Sequence, residues 1–224
     1  TSVVSFAVRD GNPENIQDWE DLANPGLEVL TPNPKTSGGA MWNILALYGA
    51  ALRGHVDGVP ADDPDSAAAF LCQVLSNVSV MDKGARDSIL NFEKGIGDLA
   101  ITYENEVIVG RQSGQKYELV LPTSSILIEN PIALVDVNVD KHGTREVAEA
   151  FIDFVFSPQA QEIYADHGLR VVNPEVAAAA ESLYPPIDDL FNVAYFGGWE
   201  EIMKNIFSEE GIYTQAILQV QIGE

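Results

Sequence analysis

Residues 3–8 read Val-Val-Ser-Phe-Ala-Val, an apolar run with β-branched and aromatic members that predicts a buried strand, ended by Asp10-Gly11-Asn12-Pro13. Residues 16–22 fit a short helix, Gly26 closes the next turn, and 27–30 form a second strand. From 40 to 52, Trp42, Leu45, Leu47, Tyr48 and Leu52 recur at spacings that suit a helix buried on most sides. The Gly, Pro and Asp of 54–65 predict a loop, and 66–75 a helix with Ser66 as its cap. Further along, 78–81 and 99–103 read as strands, 87–92 as a helix ending near Lys94-Gly95, and 104–110 as a helix. Residues 117–121 and 126–128 are extended, and the apolar run 132–135 predicts a further strand. The most amphipathic segment is 144–156, with Val147, Ala148, Phe151, Ile152, Phe154 and Val155 apolar; helices are also predicted at 159–166, 174–183 and 199–207.

Strands alternating with helices predict an α/β fold with a largely parallel sheet. In such sheets ligands sit beyond the carboxyl ends of strands, at helix starts. The segment Thr31-Pro-Asn-Pro-Lys-Thr-Ser-Gly-Gly-Ala40 occupies that place after the strand at 27–30. Ser37 is a good N-cap, and Gly38 and Gly39 leave the first-turn N–H groups open. These orphan donors and the positive end of the helix dipole suit a tetrahedral oxyanion without a cationic side chain. Residues 82–86 follow the strand at 78–81 in the same way, so the two turns can converge on one ligand.

Charge narrows the partners. Twelve Lys and Arg stand against 34 Asp and Glu, a net charge of −22, which argues against nucleic acid and anionic lipid. The acid is spread along the chain and reads as a solvated surface. A hydrophobic content of 46% over 224 residues is globular. Cys72, alone in an apolar helical stretch, reads as a small buried hydrophobe. No apolar run is long enough to span a membrane, and the chain opens directly on its first strand, so an extracytoplasmic placement implies a leader outside these residues. Enzyme readings are weak: His55, His142 and His167 lie in turn-like contexts, and no nucleophile elbow or His-Glu-x-x-His is present. Gly95-Ile-Gly-Asp98 lacks the third glycine of a dinucleotide fingerprint. Asp62-Asp63 and Asp188-Asp189 read as solvated or capping carboxylates without the ligand ladder of a calcium site, so neither a catalytic residue, a metal nor a cofactor is expected.

Thr31–Trp42, Gly84-Ala85-Arg86, Gly95-Ile-Gly-Asp98 and Tyr103-Glu-Asn-Glu106 fall in the order seen in periplasmic sulfate-binding proteins, as do Ser157-Pro-Gln-Ala-Gln-Glu162 and Phe196-Gly-Gly-Trp199. The chain resembles that family, the soluble receptors of sulfate and thiosulfate ABC importers, over nearly its whole length. The resemblance implies a type II periplasmic-binding-protein fold and a non-enzymatic receptor outside the cytoplasm. It implies that Ser37, through its hydroxyl, and the N–H groups of Gly38, Gly39 and Ala85 hold the anion, with Tyr103 standing where the family has a tryptophan. Thr36 and Arg86 support that shell. A permease that reads lobe closure is the implied partner. Rejection of phosphate follows where every group on the anion is a donor.

The chain departs from the family pattern at Met41, where the family has Arg, at Asp87, where it has Gly, and at Val171, where it has Pro. Arg86 is placed to offset Asp87 by pairing with it. Family members also open with a further segment that builds much of the first lobe. The resemblance therefore implies one complete lobe and part of another: an anion-binding lobe over 1–124 and the incomplete lobe over 125–224. An incomplete lobe with the apolar face of 144–156 exposed implies self-association through it, or C-terminal helices packed over the gap. The alternative is a truncated or degenerate module that acts by protein contact or is inert.

Overall fold

The computed structural model describes residues 1–222. β1 (Ser2–Arg9) is buried along its first seven residues, as its two apolar faces require of a strand covered from both sides. It joins β2 (Val29–Pro32), β3 (Val78–Asp82), β4 (Leu99–Tyr103), β5 (Tyr117–Val120), β6 (Ser124–Ile128) and β7 (Asp189–Phe191). The sheet order is β3-β2-β4-β1-β6-β7, with β5 also paired on β1. β2 runs parallel to β3 and β4, and β6 parallel to β7. β1 runs antiparallel to β4 and β5. The sheet is therefore mixed and less parallel than expected. Strands β2, β3 and β4 are joined through helices, which permit parallel pairing, whereas β1 is not linked to β4 by such a crossover.

The helices are α1 (Gly38–Leu52), α2 (Pro64–Ser76), α3 (Ala85–Glu93), α4 (Glu104–Gln112), α5 (Asp136–His142), α6 (Arg145–Val155), α7 (Pro158–Asp166), α8 (Pro174–Ala179), α9 (Trp199–Asn205) and α10 (Ile212–Ile222). Short 3₁₀ turns lie at Trp19–Ala23 and Val193–Phe196. Alternate strand positions serve opposite faces. Phe6, Val8, Val29, Leu99 and Ile101 pack under α1, α2 and α10, while Ala7, Leu30 and Ala100 pack with Ile89 and Phe92 of α3 and Val107 of α4.

The chain forms two compact units. One holds Val3–Ile128 and everything described from Ile187 onward; the other holds Glu129–Pro186 with the first two residues. From Ile187 the chain returns to the unit of Val3–Ile128: β7 pairs with β6, and α10 lies along α2. Within Glu129–Pro186, Arg145 ties α6 to α5 through Asp136 (2.7 Å) and Asp140 (2.8 Å). Gln161 is buried and satisfied by Val155 O and Val172 N. The amphipathic helix forms as expected, with Val155 buried and Phe151 and Phe154 left exposed.

Four local expectations are corrected. Residues 132–135 form no strand; irregular chain leads from there into α5, which buries none of its residues. The cap of α2 is Asp63, which accepts from Asp65 N and Ser66 N with Pro64 opening the helix; Ser66 instead donates its hydroxyl to Asp63. Cys72 is half-buried, not buried, because its sulfur lies at the seam with α10, 3.8 Å from Ala216 O. Asp189 is not a solvated carboxylate. It is held by two Arg53 nitrogens and by the Ser124 hydroxyl at 2.7 Å, with His55 Nε2 at 3.4 Å.

Candidate functional site

Because β3, β2 and β4 are adjacent and parallel, the turns that leave them open on one edge of the sheet, and each starts a helix. After β2, Asn33 organises the turn. Its carbonyl accepts from Thr36 N and Ser37 N, its side chain accepts from Lys35 N at 2.9 Å, and its own N–H reaches Asp82 O at the end of β3. Thr36 adds a second tie through its hydroxyl to Lys83 O at 2.8 Å. The first turn is thereby fastened to the second.

Ser37 caps α1 with extended backbone (φ −134°, ψ 118°), its Oγ accepting from Ala40 N at 3.4 Å. The N–H groups of Gly38 and Gly39 are in the first turn, where a helix offers no internal acceptor. Gly84 precedes α3 without a side-chain cap, which leaves Ala85 N–H at a second helix start. Tyr103 occupies the N-cap position of α4.

These residues meet. A Cβ placed on Gly39 would lie 3.3 Å from Ala85 Cβ, 3.4 Å from Ser37 Oγ and 3.4 Å from Tyr103 Oη. Three turns, as far apart in sequence as residues 37 and 103, thus converge on one small volume that stays open because residue 39 is glycine. Gly38 adjoins it with no neighbour within 4 Å of its own Cβ position.

The electrostatics favour α1 as the receiving helix. Its first turn carries no acidic side chain, whereas α4 begins with Glu104 and Glu106 and α3 with Asp87. Acids in a first turn satisfy the helix dipole from within. Burial pushes the Tyr103 phenol well above the usual tyrosine range, so it stays a neutral hydroxyl. The expected pairing of Arg86 with Asp87 does not occur. Arg86 points away to Glu106 Oε2 at 3.1 Å, since neighbouring residues at a helix start project in different directions.

Sequence reasoning missed Asn43, whose signal was a lone amide inside the apolar run of α1. It is fully buried and donates to Thr31 Oγ1 (3.1 Å) and Ile101 O (2.9 Å), which fixes α1 against both β2 and β4. The motif Phe196-Gly-Gly-Trp199 supports the same helix. Phe196 stacks on Tyr48 with ring centroids 6.2 Å apart, and Trp199 meets Trp42 edge-on at 5.0 Å. Gly197 and Gly198 have φ of 84° and 90°, conformations that favour glycine. Among the described residues, no group of three or more His, Cys, Asp or Glu could hold a metal, and no helix is long and apolar enough to cross a membrane.

A family model for bacterial extracellular solute-binding proteins matches residues 1–170. The sulfate-binding protein of Escherichia coli K12 is 43% identical over 219 residues, covering 96% of this chain and 65% of that one. The thiosulfate-binding protein of the same organism is 42% identical over 214 residues, covering 94% and 62%. A sulfate-binding protein of Synechocystis is 38% identical over 221 residues, covering 98% and 61%. The chain thus spans 61–65% of the length of these relatives. The solved structure of the sulfate-binding protein SubI from Mycobacterium tuberculosis superposes with a TM-score of 0.82 at 37% identity, covering 91% of this chain and 68% of that one. The chain belongs to the family of bacterial extracellular solute-binding proteins.

Proposed function

We propose that this chain forms the anion-capturing part of an extracytoplasmic receptor that takes up sulfate, or a close analogue such as thiosulfate, and hands it to the permease of an ABC importer. The observation that carries this reading is the convergence of Ser37, Gly39, Ala85 and Tyr103 about one open volume at the starts of α1 and α3. The named relatives that bind sulfate and thiosulfate support it. Capture relies on backbone N–H groups of Gly38, Gly39 and Ala85, on hydroxyls and on helix dipoles. Thr36 holds the two turns together. The chain is read as a binder and not a catalyst, since the anion is held without being changed.

Neutral donors suit reversible capture of a dianion. They compensate its lost hydration through several hydrogen bonds without a fixed counter-ion that would also bind other acids. Calorimetric titration with sulfate and thiosulfate tests the reading, with Gly38→Pro as the diagnostic variant. Proline is well tolerated at a first helical position, and the extended backbone of Ser37 suits a following proline, so the change deletes one donor and keeps the helix. A hydrogen bond to a charged group contributes roughly 1.5–3 kcal/mol, so affinity should fall about ten- to hundredfold. Unchanged sulfate affinity in folded Gly38→Pro would sink the assignment.

A further inference from the structure

Asn43 is the single amide among the buried residues of α1, which are otherwise alanine, glycine, isoleucine, leucine and tyrosine. Both of its N–H groups are engaged, one by Thr31 Oγ1 at 3.1 Å and one by Ile101 O at 2.9 Å, while its Oδ1 is buried and accepts nothing. A buried acceptor left without a donor costs stability, and an aliphatic residue would serve the packing alone. What the amide adds is direction. Hydrogen bonds set distance and angle, whereas apolar contact is non-directional and lets a helix slide on a sheet.

Its two acceptors lie where the turns are launched. Thr31 is in β2, ahead of the turn that carries Ser37, and Ile101 is in β4, two residues before Tyr103 and on the same face of the sheet. Gly39 lies four residues before Asn43, one turn up the same side of α1. One side chain thus ties the helix that offers the Gly38 and Gly39 N–H groups to both strands whose ends frame it. The tolerance is small. A Cβ on Gly39 would stand 3.3 Å from Ala85 Cβ and 3.4 Å from Tyr103 Oη, and binding geometry is spoiled by shifts of about half an ångström. We propose that Asn43 is a positioning residue for anion capture: it acts through Gly38 and Gly39, holding the first turn of α1 at the depth where their N–H groups and that of Ala85 reach one oxyanion. The inference rests on the reading of the site under Proposed function.

The test is sulfate calorimetry on folded proteins well below their melting temperatures. A purely structural loss moves the melting curve and leaves the dissociation constant of the folded protein where it was. Thr31 separates hydrogen bonding from shape. Thr31→Val keeps the shape and deletes the acceptor, so it should raise the dissociation constant about three- to tenfold, whereas Thr31→Ser keeps the acceptor and should bind as the parent does. Asn43→Leu removes both ties and should raise it at least about tenfold, and Thr31→Val added to Asn43→Leu should change it no further, since the two share one interaction. Parent-like affinity in folded Thr31→Val or folded Asn43→Leu would overturn this inference and leave the sulfate-receptor reading standing. Equal losses in Thr31→Ser and Thr31→Val would overturn it as well. The Thr31 pair decides the matter even if Asn43→Leu does not fold. Absence of sulfate binding by the parent would overturn the reading of the site and this inference together.

Discussion

Replacing Gly39 with alanine should move stability and binding in unlike ways. The added methyl would stand 3.3 Å from Ala85 Cβ and 3.4 Å from both Ser37 Oγ and Tyr103 Oη, in the volume left open between the turns. These contacts are tight but not prohibitive, and two of the three neighbours are hydroxyl oxygens, of which Ser37 Oγ can swing about its χ1. A helical Gly→Ala exchange favours the helix by roughly 0.5–1 kcal/mol, and the crowding offsets part of that gain. Folded stability should therefore stay within about 1 kcal/mol of the parent. Binding should not. The methyl occupies the space an anion oxygen needs, so at least one charge-assisted hydrogen bond is lost, a penalty of roughly 1.5–3 kcal/mol or about ten- to hundredfold in dissociation constant. Gly38→Ala is the matched control, with a similar change in propensity and no neighbour within 4 Å of the new methyl. Chemical denaturation and sulfate calorimetry on the three proteins would give the answer. Should folded Gly39→Ala bind sulfate as the parent does, the anion lies elsewhere and the convergence at residue 39 is only packing.

Gly49→Ala should destabilise by about 1–3 kcal/mol in urea melts, because its methyl would overlap the Phe191 ring and stand 3.1 Å from Phe196 Cζ; a variant as stable as the parent would mean that the rings are free to move aside. Asp189 is held below the usual carboxylate range, chiefly by its hydrogen bonds from Arg53 and then by Ser124, against the opposing effect of burial. Its folded pKa is thus lower than its unfolded value near 3.9, so its contribution is fully present above about pH 4 and is lost as pH falls through the folded pKa. Asp189→Asn should flatten that acid limb of the stability profile, and an acid limb identical to the parent's would refute the assignment.

Local pattern was enough for elements whose burial is decided by neighbours in sequence. β1 could be read because its apolar run fills both faces of a strand, and α1 because Ser37 and two glycines announce a helix start ahead of a long apolar stretch. The same pattern misled at 132–135, where four residues that would suit a strand find no partner and lead instead into α5. α10 escaped detection since its glutamines interrupt the apolar positions, and the one side it packs lies against α2, far away in the chain. Asp189 looked solvated for a similar reason, its partner Arg53 being 136 residues distant. The helix-starting turns after β2 and β3 were visible singly. That Tyr103 joins them follows from the strand order β3-β2-β4, which no local spacing encodes.

The return of the chain after Ile187 has a consequence during synthesis. Residues 3–128 are made first, yet the ring of Phe191 against Gly49 and the α10 seam on α2 come only with the last stretch. At about 5–20 residues per second, several seconds separate the two events on the ribosome. The intervening helices α5 to α8 make mostly near-sequence contacts and can settle on their own meanwhile. Until α10 docks, the side of α2 that it covers is an uncovered apolar seam on a nascent chain, open to chaperones and to other nascent copies. The unit that carries the turns after β2 and β3 is therefore begun early and finished late, and its yield should be set by how the cell shelters that interval.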